Sequence, residues 1–111
     1  MSKGDFEVTL TRGAEADLEG IYDYLARHHS MAAASSLLDS CVGVIASLES
    51  HPDRGSHPSE LQALGIREFR QILMGPYRII YRVTEQNVVI LVIADGRRDM
   101  QALLERRLLG S

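Results

Sequence analysis

The chain has 111 residues, 45% of them apolar, which suits one domain with a modest core and leaves no room for a separate cofactor domain. A net charge of −3 argues against strong free-standing DNA binding, which depends on neutralising phosphates. The apolar run at residues 88–94 falls well short of the ~20 residues a membrane span needs, Met1-Ser2-Lys3-Gly4-Asp5 lacks the apolar stretch of a secretory signal, and the lone Cys41 has no intrachain disulfide partner, so the expectation is a cytoplasmic protein.

Phe6-Glu7-Val8-Thr9-Leu10 alternates apolar and polar residues, as a half-buried strand does. Ala14, Leu18, Ile21, Tyr22 and Leu25 then fall on one face of a helix, with acidic residues at its positive start and Arg27, His28 and His29 at its negative end. Ser30 is placed to cap a second helix whose buried stripe is Ala34, Leu37, Leu38, Cys41, Ile45 and Leu48. So short a break between two amphipathic helices predicts a helical hairpin.

Residues 51–65 carry Pro52, Gly55, Pro58 and Gly65 and read as a loop, with one short turn around residues 60–64. Three strands follow, at residues 66–73, 77–84 and 88–94. In the middle one, Tyr77, Ile79, Tyr81 and Val83 share one face and Arg78, Ile80 and Arg82 the other. The unbroken apolar run of the last suits a central strand buried on both faces. Asp99 is placed to cap a final helix at residues 100–109. The order β-α-α-β-β-β-α, with short links between the last three strands, predicts one α+β domain over residues 1–111. It is a two-layer fold with a helical hairpin packed on a mainly antiparallel sheet.

The four histidines lack metal-ligand spacing, no cofactor-binding loop is present, and Cys41 lies on the apolar stripe, so no metal, cofactor or nucleophile is expected. The charge is uneven. Residues 1–60 carry four basic and ten acidic side chains, whereas residues 61–111 carry eight arginines and five acids. Arginine's fork suits carboxylates and phosphates, and strand ends present side chains to partners. Arg70, Arg78, Arg82, Arg97 and Arg98 are therefore the expected partner-binding residues; the competing reading is that Arg78 and Arg82, which share a face with Ile80, brace the sheet by pairing with Glu68, Asp17 or Asp23.

Ala14-Glu15-Ala16-Asp17-Leu18-x-x-Ile21-x-x-Tyr24-Leu25 resembles the opening helix of the ParE/RelE toxin superfamily, and Pro52-x-x-Gly55 resembles its loop. Pro76-Tyr77-Arg78-Ile79-Ile80-Tyr81-Arg82-Val83 and then Asp95-Gly96-Arg97-Arg98-Asp99 extend the likeness over nearly the whole chain. The resemblance implies the RelE/ParE-like fold and one of two mechanisms. RelE-like members cut mRNA on the ribosome, using basic residues on the middle strands, an arginine after the last strand and a C-terminal tyrosine. Of that set this chain matches only Arg98; Leu73 and Leu104 stand where the arginine and the tyrosine are expected, and no lysine follows Lys3.

The likeness is therefore to the ParE-like branch. It implies a type II toxin, the plasmid-stabilisation kind, which binds DNA gyrase, has no catalytic residues of its own, and is neutralised by a ParD-like antitoxin with a ribbon-helix-helix DNA-binding part. Operator DNA would be met only through that antitoxin. An acidic, apolar antitoxin tail would suit the five arginines or an edge of the helical hairpin. The alternatives are an mRNA interferase and a non-toxic antitoxin-binding module.

Overall fold

The computed structural model describes residues 5–110, with elements β1 (Glu7–Leu10), α1 (Arg12–His28), α2 (Met31–Ser50), α3 (Ser59–Gln62), β2 (Phe69–Met74), β3 (Tyr77–Thr84), β4 (Asn87–Asp95) and α4 (Met100–Leu108). The three longer helices each begin at an oxygen-bearing side chain that accepts from the first turn. Thr11 Oγ1 takes the Ala14 N–H at 3.1 Å, Ser30 Oγ that of Ala33 at 3.0 Å, and Asp99 Oδ1 that of Ala102 at 3.1 Å. Ser30 and Asp99 thus start the helices that the sequence assigns to them.

The sheet runs β1-β4-β3-β2. β2, β3 and β4 form the expected antiparallel meander, and β1 lies parallel to β4 from Glu7↔Asn87 to Leu10↔Ile90. β1 and β4 are joined the long way round, through both layers, which is the connection a parallel pair requires. On one face the hairpin of α1 and α2 buries Ala14, Leu37, Cys41 and Leu48 against Ile72, Ile79, Tyr81, Val88, Ile90 and Ile93. On the other, α3 and α4 cover a smaller cluster in which Leu61, Leu103 and Leu104 meet Phe69, Ile80, Val92 and Ala94. Each fully buried aliphatic side chain contributes roughly 1.5–3 kcal/mol, so both faces hold the meander in place.

Opposite Ile80 sits Val92, while Tyr81 faces Ile90, so Leu91 is an extra residue in β4. This bulge reverses the alternation. Val88 and Ile90 point to the hairpin; beyond Leu91 it is Ile93 that does so, and Val92 and Ala94 turn to the α4 side.

Three expectations change. The strand expected at residues 66–73 begins only at Phe69 and extends to Met74, because Gly65 (φ +78°) and the Ile66 N–H returning to the Leu61 carbonyl are still closing the α3 turn. Leu38, expected in the buried stripe, is 40% exposed: the inward positions are Ala34, Leu37, Cys41 and Leu48, which leaves residue 38 at the rim. The absence of any span-like helix also needs amending. Length and composition alone would let α2 cross a membrane, but here its stripe is packed in the core shared with the sheet.

The loop after α2 is bound to the outer edge of β2. Ser56 and Gln71 exchange backbone hydrogen bonds at 3.1 and 2.7 Å. The Tyr81 hydroxyl donates to the Pro52 carbonyl at 2.8 Å and accepts from the Gly55 N–H at 3.0 Å. Burial pushes the Tyr81 phenol above its ordinary pKa. A Cβ on Gly55 would lie 2.5 Å from both the Gln71 carbonyl oxygen and the Tyr81 hydroxyl, so this position has no room for a side chain.

Candidate functional site

The sheet's second edge is finished differently. β1 pairs with β4 only as far as Ile90, so among the described residues the outer side of β4 has no strand beside it from Leu91 onward. Two side chains stand in for one. Asp17 on α1 accepts from the Ile93 N–H at 2.9 Å, and Arg107 on α4 donates to the Leu91 carbonyl at 2.9 Å. The same two residues are joined to each other by a pair of 3.0 Å hydrogen bonds. Arg107 lies so close to α1 that a Cβ on Gly13 would fall 2.6 Å from its Nη2. The clamp ties the first helix to the last across the strand edge, and being charge-assisted and half-buried it is stronger than a surface pair.

Next to the clamp is an open cleft of about 640 Å³ between α1 and the turn after β4. Its α1 wall is Ala16, Gly20 and Tyr24, one helical turn apart, with His29 at the end; the opposite wall is Pro76, Tyr77, Ile93, Asp95, Arg97 and Arg98. The turn is built around Asp95. Its carboxylate accepts from the Arg97 N–H at 2.9 Å, Nε at 3.0 Å and Nη2 at 2.6 Å, and its carbonyl accepts from the Arg98 N–H at 3.1 Å. Arg97 therefore holds the Asp95 carboxyl down at about pKa 2, and the guanidinium is raised in turn. Burial, reinforced by Asp95, raises the Tyr77 phenol. Gly96 passes close to β3, where a Cβ would lie 3.1 Å from the Arg78 side chain.

The five arginines singled out by sequence do not share one surface. Arg97 and Arg98 come together at the cleft; Arg97 is 85% exposed even while paired with Asp95, and Arg98 makes no side-chain hydrogen bond or ion pair among the described residues. Arg78 lies on the α4 side of the sheet. It holds Glu60 through two 2.8 Å bonds and Gln71 through one of 2.7 Å, and is only 13% exposed. Its hydrogen bonds keep the Glu60 carboxyl below the ordinary range. Arg82, two residues along the same face, reaches Glu68 at 3.4 Å and lies 5.9 Å from the Phe69 ring centre. Arg70 points to the other side and binds the Gly55 and Asp53 carbonyls at 2.7 and 3.2 Å. Strand alternation explains the scatter: successive residues of a strand face opposite sides while directly paired residues share one, so Arg82 lies with Phe69 on the α4 face and Arg70 with Tyr81 on the hairpin face.

Sequence reasoning foresaw the Arg82–Glu68 pair and a role for Asp17 as a partner of arginine, though Asp17 pairs with Arg107. It missed Tyr24, His29, Tyr77 and Asp95 as cleft residues. The available signal was Tyr24, which is off the buried stripe of α1 and is 57% exposed, with its ring 4.6 Å from that of His28 and 5.9 Å from that of His29.

Comparisons with known proteins agree with this architecture. The family model described as the ParE toxin of the type II toxin-antitoxin system parDE matches residues 8–100. Toxin ParE3 of Caulobacter vibrioides is 30% identical over 100 residues, covering 90% of this chain and 96% of that protein. A solved structure of the chromosomal ParDE system from P. aeruginosa shares the fold, with a TM-score of 0.66 at 22% identity over 82% of this chain and 96% of that one.

Proposed function

Because the chain belongs to the ParE toxin family of type II toxin-antitoxin systems, we propose that it is a binding toxin of the cytoplasm that engages DNA gyrase and stalls it on cleaved DNA. A ribbon-helix-helix antitoxin of the ParD kind, encoded beside it, holds it inactive by covering the cleft and its arginines. Operator DNA is reached only through that antitoxin.

One observation carries the choice of a binding toxin over a nuclease. Leu104 occupies the place where the mRNA-cleaving branch is expected to carry its tyrosine, and it is 0% exposed, sealed between α4 and the sheet. A buried hydrocarbon cannot move a proton, and RNA cleavage needs a group that does. Leu73, at the place of the strand arginine, is 69% exposed and apolar, so it offers no charge to a scissile phosphate. The cleft supports a docking role: a concave surface with two arginines on its lip and aromatic side chains on its walls.

A second reading, a ribosome-dependent RNase, draws support from one fact: His29, Tyr24 and Tyr77 line the same cleft as Arg98. A single purified preparation separates the two. The gyrase reading expects loss of supercoiling and build-up of cleaved plasmid, reversed by the antitoxin, with ribosome-bound mRNA left intact. Transcripts cut in the presence of ribosomes, with gyrase unaffected, would overturn it. Normal growth on induction of the chain alone would leave only an antitoxin-binding module.

A further inference from the structure

The cleft has a feature that its charge alone does not explain: a strand edge left open along its floor. Gly96 donates to Pro76 across the β3–β4 ladder, which makes Ala94↔Arg78 and Val92↔Ile80 the bonded pairs and turns the backbone of Ile93 and Asp95 outward. The Ile93 N–H confirms that direction by bonding to Asp17. The next groups along, the Ile93 carbonyl and the Asp95 N–H, face the cleft with no strand beside them. Open edges of this kind are templates for an added strand.

We propose that an extended segment of the antitoxin enters the cleft and pairs with β4 at Ile93–Asp95, its backbone donating to the Ile93 carbonyl and accepting from the Asp95 N–H, with an acidic side chain held by Arg98. The proposal rests on reading the chain as an antitoxin-neutralised toxin. The charge pattern selects the occupant. Asp17 is already matched by Arg107 and Asp95 by Arg97, so among the described residues the charged group of the cleft left without an ion pair is the Arg98 guanidinium, which an acidic segment satisfies.

The facing helix fits the same occupant. Gly20 stands in the middle of α1, where glycine is among the poorest helix formers, yet a Cβ there would meet nothing within 4 Å. The fold does not need a glycine at that point, whereas a strand lying between Gly20 and Asp95 needs the space. Gly43 on α2 is equally unencumbered and lies outside the cleft, so it serves as the control.

The test titrates the purified chain with the antitoxin encoded beside it. Gly20→Leu is expected to fold as well as wild type, since leucine is the better helix former, and to weaken binding by about 100-fold or more. Gly43→Leu should bind like wild type, and Arg98→Glu should lose about tenfold or more, most strongly at low salt. In the wild-type complex the Asp95 amide should exchange its hydrogen at least about tenfold more slowly than in the free chain. Gly20→Leu binding within about threefold of wild type, or an Asp95 amide unprotected in the complex, overturns strand pairing while leaving the antitoxin reading in place. Failure of the wild-type chain to bind that antitoxin at all overturns both.

Discussion

The sheet's two edges are closed by different means, and the contrast separates what holds the fold from what faces a partner. At β2 the chain uses its own backbone: the loop after α2 exchanges two main-chain hydrogen bonds with Gln71, and Tyr81 and Arg70 fasten it further. At β4, beyond Ile90, the Asp17 and Arg107 side chains substitute for a strand, and the edge past them is open to the cleft. Unpaired edges are an aggregation hazard unless covered. The first edge is sealed from within; the second is sealed in part, beside the arginines that the fold leaves exposed. Arg70, Arg78 and Arg107 are occupied by structural partners, while Arg97 and Arg98 stand at the lip.

The contrast predicts unequal costs of damage. The largest effect belongs to the sealed edge. Gly55→Val puts a branched side chain where even a Cβ falls 2.5 Å from a carbonyl oxygen, and should cost about 3 kcal/mol or more, read as a lower denaturant midpoint. Should Gly55→Val unfold like wild type, the loop is not what seals β2. The clamp comes next. Arg107→Met strips the Leu91 carbonyl and the Asp17 carboxylate of their partner and should cost about 2 kcal/mol, with faster hydrogen exchange at the Ile93 amide. An unchanged Ile93 amide would mean that Asp17 holds the edge without help.

The smallest effect is acidic. Glu60 has its pKa depressed in the folded chain by Arg78, so its contribution is complete above the unfolded value near 4.5 and drains away as pH falls through the lower folded value. Glu60→Gln should therefore lower stability at neutral pH by about 1 kcal/mol or less and flatten its decline below pH 4.5, in urea melts run at several pH values. A mutant as acid-sensitive as wild type would place the acid response elsewhere, for example at Asp95, which Arg97 holds down at about pKa 2.

Most of the fold was readable because period and punctuation agree. The stripes of α1 and α2, the caps Ser30 and Asp99, and the β3 alternation all specify the same hairpin and meander. The bulge at Leu91 was hidden for a simple reason: a run of seven apolar residues has no phase to read, so a reversal of faces leaves no trace in it. The site was legible in its chemistry and not in its geography. Arg97 and Arg98 could be picked out as exposed turn residues, but Arg78's partner is Glu60, in a segment that reads as loop, and Tyr24 and His29 reach the same cleft from another element. Such pairings depend on how α1 and α3 settle on the sheet, which no local pattern encodes.

The position of β4 between β1 and β3 has a consequence for the order of assembly. The first strand finds its neighbour in the sheet some 80 residues later (Val8 beside Val88), and Asp17 meets Arg107 at a separation of 90. Contacts so distant along the chain form slowly and late. As the polypeptide leaves the ribosome, the hairpin and the early strands emerge with their apolar faces bare until the final segment arrives to join them. The finished surface and the finished core thus form together, so a copy cut short before its last helix is expected to lack a closed core altogether rather than to keep a weakened version of the cleft.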